Sequence, residues 1–209
     1  MNASSYPVSQ VAAISVCFFS IPIAFAVPYI MVLKLIATKE EFRNLACYQV
    51  IFHLGVTDCI QLFARFGYSY LVTSTLWVKP SLHDISNKLT AALVMTGWFG
   101  SLLFTLLLAI NRFAAFSSRV SVKQRAVERE VRISLTAVLV FGSVMTINIY
   151  WICISIFGTG QISPRVVYFV GDLLCLFGAG INPIIYVTLN KSIKRHFLEM
   201  VKKSVKCWK

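Results

Sequence analysis

Five long apolar blocks constrain this chain more than any other feature of its sequence. Each block is about as long as the roughly 20 mostly apolar residues that a helix needs to cross a lipid bilayer. A soluble helix would show a polar face at a period of 3.6 residues, whereas turns such as Leu102–Ile110 are apolar on nearly all sides. The sequence therefore predicts an all-α membrane protein that forms one transmembrane domain over residues 1–209. The predicted spans are Val11–Ala37, Tyr48–Val72, Leu89–Ile110, Ile133–Phe157 and Val166–Leu189.

Charge distribution predicts the orientation of these spans. Only 13% of the residues are charged, against about a quarter in soluble domains. Basic residues prefer cytoplasmic loops. An external N-terminus places sixteen of the 20 Lys and Arg on the cytoplasmic side and three, Lys79, Lys88 and Arg165, outside. We therefore expect the N-terminus outside and the C-terminus in the cytoplasm. The net charge of +12 then reflects topology and contact with anionic lipid rather than nucleic-acid binding.

Catalytic and metal-binding patterns are missing from the sequence. The three His residues, His53, His83 and His196, lack metal-ligand spacing, and no phosphate loop or nucleophile motif is present. We therefore expect no enzyme, no cofactor and no metal. None of the six Cys residues falls in a predicted outer loop, so the sequence offers no external disulfide framework.

Two residues are candidates for covalent modification. Asn2 begins an Asn-Ala-Ser glycosylation sequon on the predicted outer side, although such sequons are common by chance. Cys207 follows a basic helix and is a palmitoylation candidate, with an unmodified cysteine as the alternative.

Ionisable residues inside the spans are the clearest sign of specific contacts, because charges within a bilayer are costly and usually face the bundle interior. Counting 1.5 Å per residue places Arg65 and Asp172 at one level in the outer half. The same count places Asp58 and Asn182 together in the inner half. We predict two contacts, Arg65 with Asp172 and Asp58 with Asn182. Such pairs either serve function or only stabilise the bundle, and the sequence leaves both open.

The last apolar block ends in Asn182-Pro183-Ile-Ile-Tyr186 and continues into a basic segment. Proline removes one helical hydrogen bond, which weakens the turn. The segment that follows predicts a cytoplasmic amphipathic helix over residues 190–206 that lies on anionic lipid. Its apolar positions are Ile193, Phe197, Met200, Val201 and Val205.

Four segments together resemble a known receptor family: residues 47–63, 106–113, 123–133 and 181–195, which read CYQVIFHLGVTDCIQLF, LLLAINRF, KQRAVEREVRI and INPIIYVTLNKSIKR. The chain resembles rhodopsin-like seven-helix G-protein-coupled receptors, and within them the nematode serpentine chemoreceptors of class T (Srt) or the neighbouring class X (Srx). The resemblance implies detection of a small external molecule and activation of a heterotrimeric G protein at the plasma membrane, including that of cilia.

The resemblance also implies roles for individual residues. Asn111-Arg112-Phe113 matches the Asp-Arg-Tyr position at the inner end of the third helix, where Arg112 would restrain the inactive state and later contact the G protein. Asn111 replaces the usual acid, so only a hydrogen bond remains for that restraint. The remaining residues of the implied activation switch are Asp58, Asn182, Pro183 and Tyr186.

Helices four and five of the seven-helix pattern are missing by this interpretation. Residues 119–130 resemble the loop before the sixth helix, so Ile133–Phe157 resembles the sixth helix and Val166–Leu189 the seventh, with a seam near Ala115–Lys123. We then expect the inward faces of helices three and six to lose partners. Outer-half candidates for a ligand pocket are Arg65, Tyr68, Trp98, Trp151, Tyr168 and Asp172. For each aromatic, lipid contact is the alternative.

The sequence thus predicts a chemoreceptor-like protein with reduced or no signalling. One alternative is a regulatory fragment that associates with full-length receptors through its exposed helix faces. The other is a small transporter or channel subunit, a class in which internal repeats are frequent. The chain shows no such repeat.

Overall fold

The computed structural model describes residues 8–74, 80–117, 124–158 and 163–207, and all regular structure among them is helical. The helices are α1 Val8–Thr38, α2 Glu40–Arg43, α3 Ala46–Ser74, α4 Pro80–Ser117, α5 Gln124–Phe157, α6 Pro164–Leu189 and α7 Lys191–Cys207. The predicted all-α membrane bundle is confirmed. Asn2 lies outside the described residues, as do residues 118–123 of the predicted seam and the side chains of Tyr68 and Cys207.

Four segments among the described residues are long and apolar enough to cross a membrane: Ala12–Thr38, Asp84–Ala114, Leu135–Phe157 and Val166–Leu189. The predicted span Tyr48–Val72 forms most of the 29-residue helix α3, which is not among these four segments. Its Asp58, Gln61 and Arg65 lower the hydropathy, and all three are buried against other helices. Membrane crossing by α3, and with it the count of five spans, stays a prediction.

Helix α3 occupies the centre of the bundle. It packs against α1, α4 and α6, while α5 packs against α4 and α6. Because α6 also contacts α1, five helices form a closed ring in the order α1, α3, α4, α5 and α6. Helices α3 and α6 in addition contact each other across this ring. Asp58, Gln61 and Arg65 of α3 therefore meet the other helices, whereas His53 is exposed.

Glycines allow α3 and α4 to approach each other closely. A Cβ added at Gly97 would lie 2.5 Å from Cγ of Gln61 and 3.1 Å from the carbonyl oxygen of Thr57, and one at Gly100 would lie 2.7 Å from Thr57. Small residues are what membrane helices use at such contacts. The close approach brings Ser101 of α4 to the polar face of α3.

Helix α5 begins earlier than the sequence predicted. Residues 124–130, interpreted as part of a basic loop, are helical from Gln124. Their composition of Gln, Arg, Ala, Val and Glu is dominated by good helix formers, so the helix extends beyond its apolar segment. The loop prediction is wrong for this part of the chain.

The expected loss of partners on α4 and α5 is also wrong near the end of the bundle where α7 attaches, which we call the α7 end. Leu108 of α4 is buried there together with Ala137 and Val140 of α5. The two helices pack directly against each other. Tyr186 of α6 belongs to the same apolar cluster. Direct packing of α4 on α5 therefore fills the interior at this end.

The predicted amphipathic helix is confirmed as α7. Asn190 precedes it, and its Oδ1 accepts hydrogen bonds from the backbone N–H of Ser192 at 3.1 Å and of Ile193 at 3.2 Å. This is an N-cap arrangement. The Asn190 Nδ2 donates to the hydroxyl of Tyr48 at 2.7 Å, and Ile193 is fully buried. Asn190 thus starts α7 and fixes it to α3.

A short helix that the sequence did not reveal, α2, makes a second attachment of α7. Nε2 of His196 lies 2.5 Å from Oε1 of Glu41, and Nδ1 lies 3.3 Å from Oε2 of Glu199. The His196 ring also meets Phe42 edge-on. The hydrogen bond with His196 holds the pKa of Glu41 below its usual range. The contact is therefore made with the ionised carboxylate at neutral pH.

Candidate functional site

The Asp58 carboxylate is the point at which four helices meet. Asp58 of α3 is 1% exposed. Its Oδ1 accepts a hydrogen bond from the Ser101 hydroxyl of α4 at 2.5 Å. Its Oδ2 accepts from Asn182 Nδ2 of α6 at 2.7 Å and from the Tyr29 hydroxyl of α1. The predicted contact between Asp58 and Asn182 is confirmed. Since hydrogen bonds to a charged group are the stronger kind, this carboxylate ties the bundle together.

Sequence reasoning missed Tyr29 and Ser101. A hydroxyl within a membrane helix is inexpensive and common, so neither residue demands a partner as a carboxylate does. For Ser101 a signal was present, because it follows Gly97 and Gly100 and completes a small-residue face on α4. For Tyr29 the only local cue was its position directly after Pro28.

Ser101 extends the contact network along α3. Gln61 Nε2 donates to the Ser101 oxygen at 2.9 Å, and the Thr57 hydroxyl lies 3.1 Å from the same oxygen. Thr57 in addition donates to the backbone carbonyl of Leu54 at 2.7 Å. Three residues of α3 therefore converge on one serine of α4. A rotation of α4 relative to α3 would break several hydrogen bonds at once.

The segment Asn182–Tyr186 lies within α6, which continues through Pro183. Asn182 and Tyr186 are each 1% exposed. In the described part of the chain, Asn182 Oδ1 and the Tyr186 hydroxyl are buried without a hydrogen-bond partner. An unsatisfied buried polar atom costs about 1–3 kcal/mol. Both side chains thus have unused hydrogen-bonding capacity beside Asp58 in this conformation.

Residues 111–113 take three different environments at the α7 end of α4. Arg112 is buried, at 7% exposed, and follows the core residue Leu108 by one turn. Asn111 is half-buried and Phe113 is 76% exposed. The arginine therefore points into the bundle and the phenylalanine away from it.

The second predicted contact lies at the opposite end of the bundle, which we call the Arg65 end. Arg65 Nη1 of α3 donates to Asp172 Oδ1 of α6 at 2.6 Å, which confirms the predicted pair. The Arg65 side chain is 7% exposed and that of Asp172 is 33% exposed. The ion pair is therefore buried on one side and accessible on the other.

Two of the predicted pocket aromatics contact each other, and the described ring contact of a third is elsewhere. Trp151 of α5 and Tyr168 of α6 have ring centroids 5.9 Å apart, and Tyr168 precedes Asp172 by one helical turn. Trp98 of α4 is half-buried, and its described ring contact is with its neighbour Phe99. Trp98 is thus not part of the aromatic pair formed by Trp151 and Tyr168.

Comparison with protein families gives one match. Residues 3–160 match the model of the family described as "Serpentine type 7TM GPCR chemoreceptor Srt". The match covers the first three of the four segments that carried the sequence resemblance, and the fourth, residues 181–195, lies beyond it. No curated protein is similar enough to the chain to match it.

Proposed function

The chain belongs to the serpentine type 7TM GPCR chemoreceptor Srt family, and we propose that it derives from a receptor that detects a small external molecule and activates a heterotrimeric G protein. Family membership and its apolar helices make it a multi-pass membrane protein. We place it in the plasma membrane, including that of cilia, with the N-terminus outside. The proposed inner side then carries α7, whose exposed Lys194, Lys202 and Lys203 suit contact with anionic lipid.

The observation that carries this proposal is the hydrogen-bond network at Asp58. Receptor activation requires an element with two arrangements whose balance a ligand shifts. Asp58 holds Asn182 of α6 to α1, α3 and α4. Asn182 Oδ1 and the Tyr186 hydroxyl retain unused hydrogen-bonding capacity, so a shifted α6 has hydrogen bonds to gain. Asp58, Asn182, Pro183 and Tyr186 are therefore proposed as the switch.

Arg112 and Asn111 are proposed as the link from this switch to the G protein. Arg112 is buried one turn beyond Leu108, so it must move outward before it can contact a partner. Asn111 cannot form the ion pair that an acid would form with a neighbouring arginine, so only a hydrogen bond is left for that restraint. We therefore expect the inactive state to be loosely restrained.

This form is proposed to lack helices four and five of the seven-helix pattern and to signal weakly or not at all. The position of α5 supports this assignment, since within the described chain it packs closely against α4 and α6 but not against α3. That is the place of a sixth helix between the third and the seventh. Activation moves helices five and six together in such receptors, and α5 has no such companion among the described helices.

Nucleotide exchange on a purified heterotrimeric G protein tests this proposal. The full chain in lipid nanodiscs would be assayed with and without a mixture of small water-soluble odorants. We expect slow basal exchange without a ligand-evoked increase, and loss of the basal component in Arg112→Ala. The matched control is Phe113→Ala, which alters an exposed neighbour. A ligand-evoked increase would refute the reduced signalling, and basal exchange that Arg112→Ala leaves intact would refute the role of Arg112.

A second function, association with full-length receptors, is favoured by the apolar surface of α4 and α5. Phe99, Leu103 and Leu107 of α4 are about half exposed, as are Ile149 and Ile152 of α5. These faces suit lipid or another membrane helix. Co-expression with a full-length receptor of the family tests this second function. A change in the amount of that receptor delivered to the cell surface would favour the regulatory function.

A further inference from the structure

Unused hydrogen-bonding capacity lies between α3 and α6 at the Arg65 end. The Arg65 guanidinium is engaged at Nη1 by Oδ1 of Asp172. Its Nε is buried without a partner among the described residues, although Arg65 as a whole is 94% buried. Arginine and carboxylate pairs often form two parallel hydrogen bonds, whereas this pair shows one. The second oxygen of Asp172, whose side chain is a third exposed, has no hydrogen-bond partner among the described residues. A cationic donor and an anionic acceptor are therefore both only partly used.

Aromatic surface lies beside this half-satisfied ion pair. Trp151 and Tyr168 are tilted by 33° with their centroids 5.9 Å apart. Trp151 packs on the glycine next to Asp172, since a Cβ at Gly171 would come within 2.6 Å of the indole. Cys175, one turn further along α6, contacts Trp151 and lies within electrostatic range of both Arg65 and Asp172. The aromatic pair and the ion pair thus belong to one site, to which α3, α5 and α6 contribute.

The charge balance of this site selects among ligands. An anion that displaced Asp172 from Arg65 would leave the partly exposed Asp172 carboxylate without its partner, and a cation that captured Asp172 would leave the buried Arg65 uncompensated. The second case is strongly unfavourable because Arg65 is buried. A net-neutral molecule that carries both charges satisfies both residues at once. Its ammonium group also gains from the aromatic faces, which attract cations.

We propose that Arg65 and Asp172, flanked by Trp151 and Tyr168, bind a small zwitterion that carries one carboxylate and one amine. The ligand carboxylate accepts hydrogen bonds from Arg65, and its ammonium group donates to the free oxygen of Asp172 next to the aromatic pair. This proposal deepens the proposed chemoreceptor function and rests on it for its biological meaning. The binding itself requires neither a G protein nor signalling.

Binding to the purified full chain in nanodiscs tests this with chemically matched probes. The probes are L-phenylalanine, phenethylamine, which lacks the carboxylate, and 3-phenylpropanoate, which lacks the amine. L-Leucine and 5-aminovalerate serve as zwitterions without the aromatic ring. We expect a dose-dependent rise in the thermal unfolding midpoint with at least one zwitterion. Affinity for the two singly charged probes should be at least tenfold lower.

Substitutions within the site separate binding from general stability. Arg65→Gln should weaken zwitterion binding roughly ten- to a hundred-fold, the range expected for a lost hydrogen bond to a charged group. Because that variant leaves Asp172 unpaired and can misfold, Tyr168→Leu provides a second test at a half-exposed position. The matched control is Lys88→Gln, which breaks the exposed ion pair of Lys88 with Asp84 at 2.7 Å and should leave binding unchanged.

Three results would overturn the inference. The first is an unfolding midpoint of the folded protein that no zwitterion changes. The second is an affinity for a singly charged probe equal to that for the zwitterions. The third is zwitterion binding that neither Arg65→Gln nor Tyr168→Leu weakens. Each is independent of the G-protein assay. Zwitterion binding without nucleotide exchange would support this inference and count only against signalling. Ligand-evoked nucleotide exchange without zwitterion binding would support signalling and count against this inference.

Discussion

Substitution of Gly97 by alanine tests whether the close approach of α3 and α4 holds the bundle together. The new Cβ would lie 2.5 Å from Cγ of Gln61 and 3.1 Å from the carbonyl oxygen of Thr57, where carbon atoms normally keep about 3.5–4.0 Å. The Gln61 side chain can move only by releasing its 2.9 Å hydrogen bond to Ser101, and the backbone carbonyl cannot retreat without moving α3.

The change in the free energy of unfolding caused by Gly97→Ala is the sum of opposing contributions. Overpacking costs about 1–3 kcal/mol, and the lost Gln61 hydrogen bond adds about 0.5–1.5 kcal/mol. Replacing a helical glycine by alanine returns up to about 1 kcal/mol. We expect Gly97→Ala to lower the free energy of unfolding by about 0.5–3.5 kcal/mol. Gly142→Ala on α5 is the matched control, because a Cβ there meets nothing within 4 Å, and it should be neutral or stabilising by up to about 1 kcal/mol.

Thermal and denaturant unfolding in detergent or nanodiscs, followed by circular dichroism, measures both variants under one condition. Equal stability of the two alanine variants would refute the argument, since their difference rests only on the space that each Cβ enters. Such a result would mean that α3 and α4 stand further apart than the glycine contacts indicate.

Three further predictions concern the polar contacts. Asp58→Ala leaves three donors without their shared acceptor and should destabilise the protein by about 3 kcal/mol or more, because each buried unsatisfied donor costs about 1–3 kcal/mol. Asp58→Asn keeps one acceptor and should cost about 1.5–3 kcal/mol in the same unfolding assay; similar losses for both would contradict the network. Because the pKa of Glu41 is lowered in the folded protein, its contact with His196 should be fully present above the ordinary glutamate pKa of about 4.3 and be lost as the pH falls through the lowered value. A spin label on α7 should therefore gain mobility in acid. The label should be more mobile in Glu41→Gln than in the unsubstituted protein at neutral pH, and equally mobile in both in acid. A difference in mobility that persists in acid would refute this titration of Glu41. Ile193→Ser places a hydroxyl at a fully buried position and should release α7 from the bundle. The backbone amides of α7 should then exchange faster in Ile193→Ser than in the control variant Lys194→Ser, which changes an exposed residue.

Charged residues in apolar helices were the most predictable part of this molecule. The contacts of Arg65 with Asp172 and of Asp58 with Asn182 followed from depth alone, because a buried charge needs a partner at its own level. The hydroxyls of Tyr29 and Ser101 could not be placed that way, since their partners depend on how α1 and α4 rotate about their axes.

The boundaries of the helices were less predictable because several extend beyond their apolar segments. Hydropathy located the start of α5 at Ile133, but its helix-forming residues begin at Gln124. Helix α2 has four residues, too few for any periodic signal. Hydropathy alone did not show that α3 lies at the centre of the bundle, with the other helices packed around its polar face.

The order in which the Asp58 partners are synthesised has a consequence for biogenesis. Tyr29 precedes Asp58 by 29 residues, Ser101 follows it by 43, and Asn182 follows by 124. At about 5–20 residues per second, the carboxylate stays without its last donor for roughly 6 to 25 seconds while the chain is still growing. Nascent chains that stop before Asn182 leave the Asp58 carboxylate incompletely paired. The network that joins α1, α3 and α4 to α6 is therefore complete only after α6 has been synthesised.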